Sequence, residues 1–391
     1  MKILLIHNYY RFQGGEEVYL GALARLLKKN GHKVRLFTKD NRDIESFDLK
    51  EQAHAAMGMF WNSQIASELS EVISNFKPDI AHFNNIFPLI TPTAYWVCKK
   101  KGVPIVQSVH SFRYMFPKSI LLRRGELCPY CLNRNLIQPA IFHRCFDEPI
   151  LYTLALSSSH CLHYFLGSFK LIDKFIFPST FTKDYYLRNS DIKNGRSRVI
   201  PNFVEVTGKK SGKVRRNGFI YVGSLTRQKG IFELLEAVSV RPDINLRVLG
   251  DGPEAKEVSR FKRFKNIEIL GRRKRREIYR YMEESFFTVI PSLVLEVMPT
   301  VLIESFATGT PVIVPKRGVF RELVEDTKTG LFYDPDKPGD LEKTLLFAMK
   351  PSLARKMGLA ARKEFEGKYT KESYYKGLLN TYQELNEANF K

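Results

Sequence analysis

Two glutamates and a proline stand between a short apolar run and a glycine in the last third of the chain. Glu296 precedes Pro299 and Glu304 follows it, with seven residues between the two glutamates. The run VIPS before them predicts a buried strand, and Pro299 fits the first position of a helix that ends before Gly309. Glu296 therefore belongs to the loop over the helix N-terminus, while Glu304 lies about one turn inside.

A helix start bracketed by carboxylates could bind both parts of a nucleotide sugar. Backbone N–H groups at a helix N-terminus attract phosphate, and carboxylates accept hydrogen bonds from sugar hydroxyls. The spacing alone is not specific, since Glu364 and Glu372 repeat it where a helix with exposed positions is predicted. What distinguishes Glu296 and Glu304 is their setting between two buried strands.

The residues after Glu304 complete a longer sequence pattern, which we call the frame. They comprise the strand pattern ATGTPVIV, then Gly318, Glu322 and the string TGLFYDP. This frame resembles the C-terminal signature of glycosyltransferase family 4, whose members are retaining enzymes. The resemblance extends over nearly the whole chain. It implies an α/β fold of two Rossmann-like domains facing each other across a cleft, the GT-B fold.

The resemblance also implies a role for each residue of a donor site. Glu296 would hold hydroxyls of the transferred sugar, and Glu304 would hold the ribose. Backbone amides around Thr300 and Val301 would add hydrogen bonds at the helix start. The expected donor is a nucleotide sugar, either a UDP-sugar or a GDP-sugar.

An earlier loop, in the string FIYVGSLTRQKG, matches the family's diphosphate-binding loop. Family members usually carry an arginine and a lysine there, whereas this chain has Ser224 in place of the arginine and keeps Lys229. Arg227 is the candidate for the missing charge. The leaving nucleoside diphosphate gains negative charge as the glycosidic bond breaks, and fixed cations stabilise it. No catalytic metal is expected, because these cations and the helix end would replace it.

The N-terminal region begins with a strand, a loop and a helix. KILLIH predicts a buried parallel strand, and the loop after it contains Gly14 and Gly15 without the G-x-G-x-x-G fingerprint of NAD binding. The glycines fit either a plain tight turn or a close approach to phosphate, and they resemble the family loop that faces the donor diphosphate. His110, in VHSFRYMFP, matches a family histidine near the transferred sugar and the acceptor. His82 has no such match, and we interpret it as structural.

The domain boundary is predicted from the polar, basic segment GKKSGKVRRNG, which is typical of a linker. We expect an acceptor-side, Rossmann-like domain at 1–205 and a nucleotide-sugar-binding domain at 216–371. By resemblance, the final helix at 372–391 would pack back on the first domain through its tyrosines.

A cysteine cluster suggests a structural metal. C-x2-C followed by H-x-C supplies four ligands of suitable type for zinc. The alternative is a set of inert thiols that brace a loop. The residues are Cys128, Cys131, His143 and Cys145.

The charge balance points to an anionic partner. The 391 residues include 62 Lys and Arg against 41 Asp and Glu, a formal charge of +21. Nucleic acid, a membrane surface or a phosphorylated substrate would fit. No helix-turn-helix, RRM or zinc-finger pattern is present, so specific nucleic-acid binding is not expected.

A basic nucleic-acid-binding protein is the alternative from another class, and a sugar-nucleotide epimerase of the same architecture is the alternative enzyme. The basic run at 272–276 is interpreted mainly as a solvated face.

The uncharged stretch from Pro149 to Phe169 is long enough to span a membrane, but its serines and histidines would be costly there. We interpret it first as an amphipathic helix packed on the domain core, second as a membrane-surface contact, and third as a span. The predicted apolar face comprises Leu151, Leu154, Ser158, Cys161, Leu162, Phe165 and Phe169. The predicted polar face comprises Thr153, Ser157, His160 and Tyr164.

Three sequence segments indicate the acceptor and the cellular location of the protein. HNYYRFQGGEEV, HFNNIFPLITP and the CPYC…HRC insertion together resemble a bacterial subgroup linked to surface polysaccharides. The acceptor would be a glycan or a polyprenyl-diphosphate-linked sugar, as in lipopolysaccharide assembly. We see no signal peptide, and we expect a cytoplasmic protein in peripheral contact with the anionic inner face of the cytoplasmic membrane. Candidate cations for that contact are Lys99, Lys100, Lys101, Arg123, Arg124 and Arg144.

Overall fold

The computed structural model describes residues 1–10, 14–46, 57–115, 122–123, 126–127, 150–205 and 217–389. The chain divides into two compact units. The first comprises Met1–Arg123, Cys128–Pro201 and Tyr374–Lys391, and the second comprises Arg124–Leu127 and Asn202–Ser373.

The first unit is built on a parallel sheet of six strands. They are β1 (Lys2–Tyr9), β2 (Lys33–Asp40), β3 (Ile80–Phe83), β4 (Ile105–Ser108), β7 (Lys174–Phe177) and β8 (Ser197–Val199), in the order β2-β1-β3-β4-β7-β8. Two short strands are separate from this sheet: β5 (Leu122–Arg123) belongs to the first unit, and β6 (Glu126–Leu127) belongs to the second. The helices are α1 (Gly15–Lys29), α2 (Ser63–Phe76), α3 (Thr93–Lys100), α4 (Ile150–Phe165) and α5 (Thr180–Asn189). Short 3-10 turns occur at Asn41–Ser46, Ser168–Leu171 and Asn194–Arg196.

The second unit repeats this design. Its strands are β9 (Phe219–Val222), β10 (Leu246–Leu249), β11 (Ile267–Gly271), β12 (Phe287–Val289), β13 (Val312–Pro315) and β14 (Gly330–Tyr333), all parallel, in the order β11-β10-β9-β12-β13-β14. Its helices are α6 (Ile231–Ser239), α7 (Ala255–Val258), α8 (Arg275–Glu283), α9 (Thr300–Ala307), α10 (Phe320–Leu323), α11 (Asp340–Ala348) and α12 (Pro351–Lys368). Turns of 3-10 helix occur at Arg227–Lys229 and Ser259–Arg263, and α13 (Lys371–Asn389) ends the described chain.

The strands form where short apolar runs must be covered on both faces. In β1, Ile3, Leu4, Leu5 and Ile6 are fully buried. Such continuous apolar runs are typical of parallel sheets with helices on both sides. Because parallel strands end at one edge, loops after them bring distant residues together there. This edge holds the candidate site residues of each unit.

The last helix uses its tyrosines to pack on the first unit. The hydroxyls of Tyr374 and Tyr19 form a hydrogen bond, and the Tyr382 hydroxyl lies 2.5 Å from Nδ1 of His82. Nε2 of His82 lies 2.7 Å from Oγ of Ser108, so both ring nitrogens have partners. Burial lowers the pKa of His82 to about 3, which keeps the ring neutral. His82 therefore joins the sheet to the last helix.

Helix α4 is turned opposite to the sequence prediction. Ser157 and His160, from its predicted polar face, are buried, whereas Leu162 and Phe165, from its predicted apolar face, are exposed, the latter by 76%. Two inward polar groups have partners: Nδ1 of His163 lies 2.9 Å from Oγ of Ser168, and Ser159 donates a hydrogen bond from Oγ to the carbonyl oxygen of Met59. Oγ of Ser157 and Nδ1 of His160 are buried and have no hydrogen-bond partner among the described residues. Hydrogen bonds therefore offset only part of the cost of burying the polar side. Over the described residues, we find no helix of sufficient length and apolarity to cross a membrane.

Candidate active site

The centre of the candidate site in the second unit is the carboxylate of Glu296. Lys229 donates a hydrogen bond from Nζ to Oε1 of Glu296 at 2.6 Å, and Ser292 donates from Oγ to the same oxygen at 2.6 Å. The Glu296 side chain is 12% exposed and that of Lys229 is 38% exposed. The serine after the strand and the lysine therefore hold one mostly buried carboxylate in place.

A glycine brings the lysine loop against the strand end. Gly230 has a positive φ of 69°, and an added Cβ would lie 1.8 Å from the carbonyl oxygen of Pro291. Leu293 also donates a backbone hydrogen bond to the carbonyl of Gln228 at 3.1 Å. Only glycine allows this backbone approach, so the two loops are locked together. This contact places Lys229 beside Glu296.

Glu304 occupies the neighbouring part of the site. Arg275 donates from Nη2 to Oε1 of Glu304 at 3.0 Å, and the Tyr279 hydroxyl lies 3.4 Å from the same oxygen. Arg275 also donates from Nε to the Tyr279 hydroxyl at 2.6 Å. Burial raises the pKa of Glu304, and the positive charge of Arg275 opposes that shift. The arginine therefore supports the ionised form of a nearly buried carboxyl.

Helix α9 starts one residue later than predicted. Pro299 is the N-cap, with extended backbone angles, and Thr300 is the first helical residue. The first N–H groups of the helix, including those of Thr300 and Val301, have no acceptor within it and can receive a ligand oxygen. The predicted end is correct: the helix stops at Ala307, and Gly309 follows with a φ of 71°.

Arg227 is held by two acidic side chains. Its Nη2 donates to Oε2 of Glu257 at 2.8 Å, and its Nε lies 3.7 Å from a carboxylate oxygen of Glu254. Its guanidinium also lies 4.6 Å from the ring centre of Phe232. Arg275, from the run interpreted mainly as a solvated face, is the arginine that contacts a predicted site carboxylate. Sequence spacing offered no signal for it, since it lies far from Glu304 along the chain.

The glycine loop in the first unit is closed by a glutamate. Glu17 accepts hydrogen bonds from the backbone N–H groups of Gly14, at 2.6 Å, and Tyr10, at 3.1 Å. Gly14 has a φ of −123°, and among described residues the nearest atom to an added Cβ would be 3.5 Å away. Described packing therefore does not require glycine at this position. Gly15 is the first residue of helix α1.

His110 lies just beyond strand β4, at the carboxyl edge of the first sheet. Its Nε2 is 3.1 Å from Oδ1 of Asn84, which follows β3, and its ring packs edge-on against Tyr19 at 4.8 Å between centres. Burial lowers the pKa of His110 to about 3. The ring is therefore neutral at physiological pH and can act as a hydrogen-bonding group rather than a cation.

Sequence reasoning missed a polar cluster beside His110. Glu16 lies with its Oε1 3.7 Å from Nδ1 of His7, and burial raises the pKa of Glu16 to about 8. Both ring nitrogens of His7, Nδ2 of Asn84 and Nε of Arg113 are buried and have no hydrogen-bond partner among the described residues. Buried polar groups normally have partners, so this edge has capacity for a polar ligand or water. The adjacent pair Glu16 and Glu17 was the available signal.

The four predicted zinc ligands, Cys128, Cys131, His143 and Cys145, lie outside the described residues. Within the described ranges, no group of three or more His, Cys, Asp or Glu residues could hold a metal ion.

We expect the protein to bind about one equivalent of zinc if these four residues form a closed structural site, since four protein ligands complete its coordination. Metal analysis of protein prepared without a histidine tag measures this directly. Cys128→Ser should lose the metal, whereas Cys161→Ser, at a half-buried cysteine on helix α4, is the matched control. Less than about a tenth of an equivalent in the wild type would end the zinc prediction.

Comparison with known proteins defines the class. The model described as Glycosyltransferase Family 4 matches residues 13–207, and the model described as Glycosyl transferases group 1 matches residues 205–364. An uncharacterized glycosyltransferase of Methanocaldococcus jannaschii is 27% identical over 399 aligned residues, with 99% of each chain covered. A putative teichuronic acid biosynthesis glycosyltransferase of Bacillus subtilis is 38% identical over 95 residues, or 24% of this chain and 23% of that protein. Anabaena HepE, solved in complex with UDP-glucose, matches 98% of this chain and 100% of its own, with a TM-score of 0.66 and 16% identity.

The two six-stranded parallel sheets and these matches define a glycosyltransferase with the GT-B fold. The chain belongs to glycosyltransferase family 4. The predicted fold class and enzyme class are confirmed. The family frame around Glu296 and Glu304 thus led to the correct family.

Proposed function

We propose that this enzyme is a retaining glycosyltransferase of bacterial polysaccharide biosynthesis. It moves a sugar from a UDP- or GDP-sugar to a glycan or to a polyprenyl-diphosphate-linked acceptor. The second unit binds the donor, and the first unit binds the acceptor. The observation that carries the proposal is the contact of Lys229 and Ser292 with Glu296 beside the start of helix α9.

The donor site divides into a sugar part and a nucleotide part. Glu296 accepts hydrogen bonds from hydroxyls of the transferred sugar, and Glu304 accepts them from the ribose. Lys229 and the N–H groups of Thr300 and Val301 neutralise the diphosphate. Lys229 is paired with Glu296 at 2.6 Å. We expect the diphosphate to bind beside this pair, so that the ammonium group needs little reorganisation.

The same charges make a catalytic metal unnecessary. In the proposed complex, the charge that develops on the leaving group is stabilised by Lys229 and by the positive end of helix α9. The proposal therefore includes no metal step. Two relatives support a nucleotide-sugar donor and a polysaccharide role: HepE was solved with UDP-glucose, and the Bacillus protein is named for teichuronic acid biosynthesis.

The test begins with thermal-shift screening against a panel of UDP- and GDP-sugars. Binding to the folded state raises the melting temperature, so the true donor and its free diphosphate should both stabilise the protein. The donor found this way is then incubated with a membrane extract as the acceptor source.

Transfer should release the nucleoside diphosphate and label an acceptor, and it should persist in EDTA. Isomerised donor with no labelled acceptor would instead identify an epimerase. Activity lost in EDTA and restored by a divalent cation would contradict the metal-independent mechanism.

A further inference from the structure

The C-terminal end of helix α4 and the residue that follows it carry an apolar surface that points away from the core. Leu162, Phe165 and Leu166 are exposed by 39%, 76% and 49%. The polar side of the same helix is buried, with Ser157 and His163 fully covered. Exposing the apolar side of a helix forgoes its burial energy, which is recovered when an apolar partner covers it. We call Leu162, Phe165 and Leu166 the apolar tip.

A cavity of about 550 Å³ lies next to this tip in the first unit. Its apolar wall includes the rings of Tyr114, Phe169 and Phe175. A volume of this size is typical of a site for a small organic ligand or one hydrocarbon chain. Gly167, one residue after the tip, lines the cavity and connects the two features.

Three cations lie at the same cavity. Lys170, Lys193 and Arg196 are exposed residues that line it, and Arg196 donates from Nη1 to the carbonyl oxygen of Lys170 at 2.6 Å. One carboxylate, Asp191, also lines the cavity, and it accepts a hydrogen bond from the Tyr164 hydroxyl at 2.6 Å. The net charge of these side chains is positive, as is that of the whole chain at +21. The cavity therefore combines apolar walls with cations.

An anionic phospholipid leaflet has the complementary chemistry. Its acyl region accepts inserted apolar side chains, and its phosphates attract lysine and arginine. A protein partner would not explain why a chain-sized cavity and three cations adjoin the tip. Of the cations expected for membrane contact from the sequence, Lys99 is instead paired with Asp173 at 2.7 Å.

We propose that the apolar tip inserts into an anionic leaflet. Lipid phosphates then bind Lys170, Lys193 and Arg196, and one acyl chain occupies the cavity. This inference deepens the proposed function and rests on its membrane-linked acceptor. The docking surface would keep the first unit at the leaflet that presents the acceptor. Attachment by a few side chains and charges is peripheral and reversible.

The test is vesicle co-sedimentation of the full chain at low salt. Wild type should bind vesicles of equimolar phosphatidylcholine and phosphatidylglycerol, and bind poorly to phosphatidylcholine alone. The double variant Phe165→Ser/Leu166→Ser should bind at least about tenfold more weakly, because two inserted side chains are lost. Lys193→Gln should weaken binding about fivefold through one lost charge. Val240→Ser/Leu359→Ser is the matched control, since these exposed apolar residues lie in the second unit.

A second readout reports insertion itself. The fluorescence of the tryptophan in Phe165→Trp is obtained by subtracting the wild-type spectrum. Its emission maximum should shift to the blue on anionic vesicles, because the introduced indole leaves water. Equal vesicle binding by wild type and the tip variant, or an unshifted emission of the introduced indole, would overturn the proposal. All variants should keep wild-type thermal stabilisation by the donor. Loss of donor binding in the wild type would count against the transferase proposal alone, because vesicle binding is measured without donor.

Discussion

Lys229→Ala should lower turnover about a hundredfold or more, with a smaller effect on donor affinity. The ammonium group lies 2.6 Å from Glu296, in the part of the site where the leaving diphosphate gains charge. An interaction that strengthens in the transition state is lost chiefly from kcat. Steady-state kinetics with the donor found by thermal shift measure the effect. Because the Lys229 side chain is 38% exposed, the substitution should leave the fold intact.

Arg227→Ala tests whether the neighbouring cation shares this role. Arg227 is a neighbouring cation of the same loop, but its guanidinium is paired with Glu257 at 2.8 Å. If it supplies the charge missing at Ser224, its removal should approach the effect of Lys229→Ala. If its pairing with Glu257 persists with donor, the loss should be within a few-fold. Wild-type turnover in Lys229→Ala would refute the donor-site assignment.

Glu304→Gln should weaken nucleotide binding about tenfold or more while affecting kcat less. The carboxylate would lose its charge-assisted hydrogen bonds to the ribose, and each such bond is worth about 1.5–3 kcal/mol. Arg275→Ala should produce a comparable loss, because it leaves Glu304 buried without its cation. Titration calorimetry with the nucleoside diphosphate measures both. The double variant Glu304→Gln/Arg275→Ala should lose less binding free energy than the sum of the two single losses, since the residues act as a pair.

Two comparisons sharpen this second prediction. Arg276→Ala removes an adjacent, exposed cation and should leave affinity nearly unchanged. The 2′,3′-dideoxy form of the diphosphate should bind wild type and Glu304→Gln about equally, because it lacks the hydroxyls that Glu304 is proposed to hold. A full tenfold loss with the dideoxy ligand would place Glu304 elsewhere than at the ribose.

Much of the fold could be predicted because its elements are continuous in the sequence. The apolar run of β1 and the helix between Pro299 and Gly309 carry their own start and stop signals. The placement of Glu296 in a loop and Glu304 inside a helix followed from one proline. The helix begins at Thr300 rather than at Pro299, a shift of one residue that keeps both carboxylates in the predicted positions.

The features that sequence reasoning missed depend on contacts between distant segments. Arg275 reaches Glu304 because the ends of parallel strands bring their following loops together. Helix α4 buries serines and histidines on its inward side, where Ser159 donates a hydrogen bond to the carbonyl oxygen of Met59, and helical periodicity cannot reveal such a partner. The polar cluster of His7, Asn84 and Arg113 likewise forms from three separate loops and strands of one sheet edge.

We propose that this chain transfers a sugar from a nucleotide donor with retention of anomeric configuration. The most direct measurement is an NMR spectrum of the product formed from an α-linked nucleotide sugar, with release of the nucleoside diphosphate followed in parallel. We expect an α-glycosidic product, formed in step with the diphosphate and lost in Lys229→Ala. A β-linked product, or release of diphosphate without any glycosylated acceptor, would contradict it.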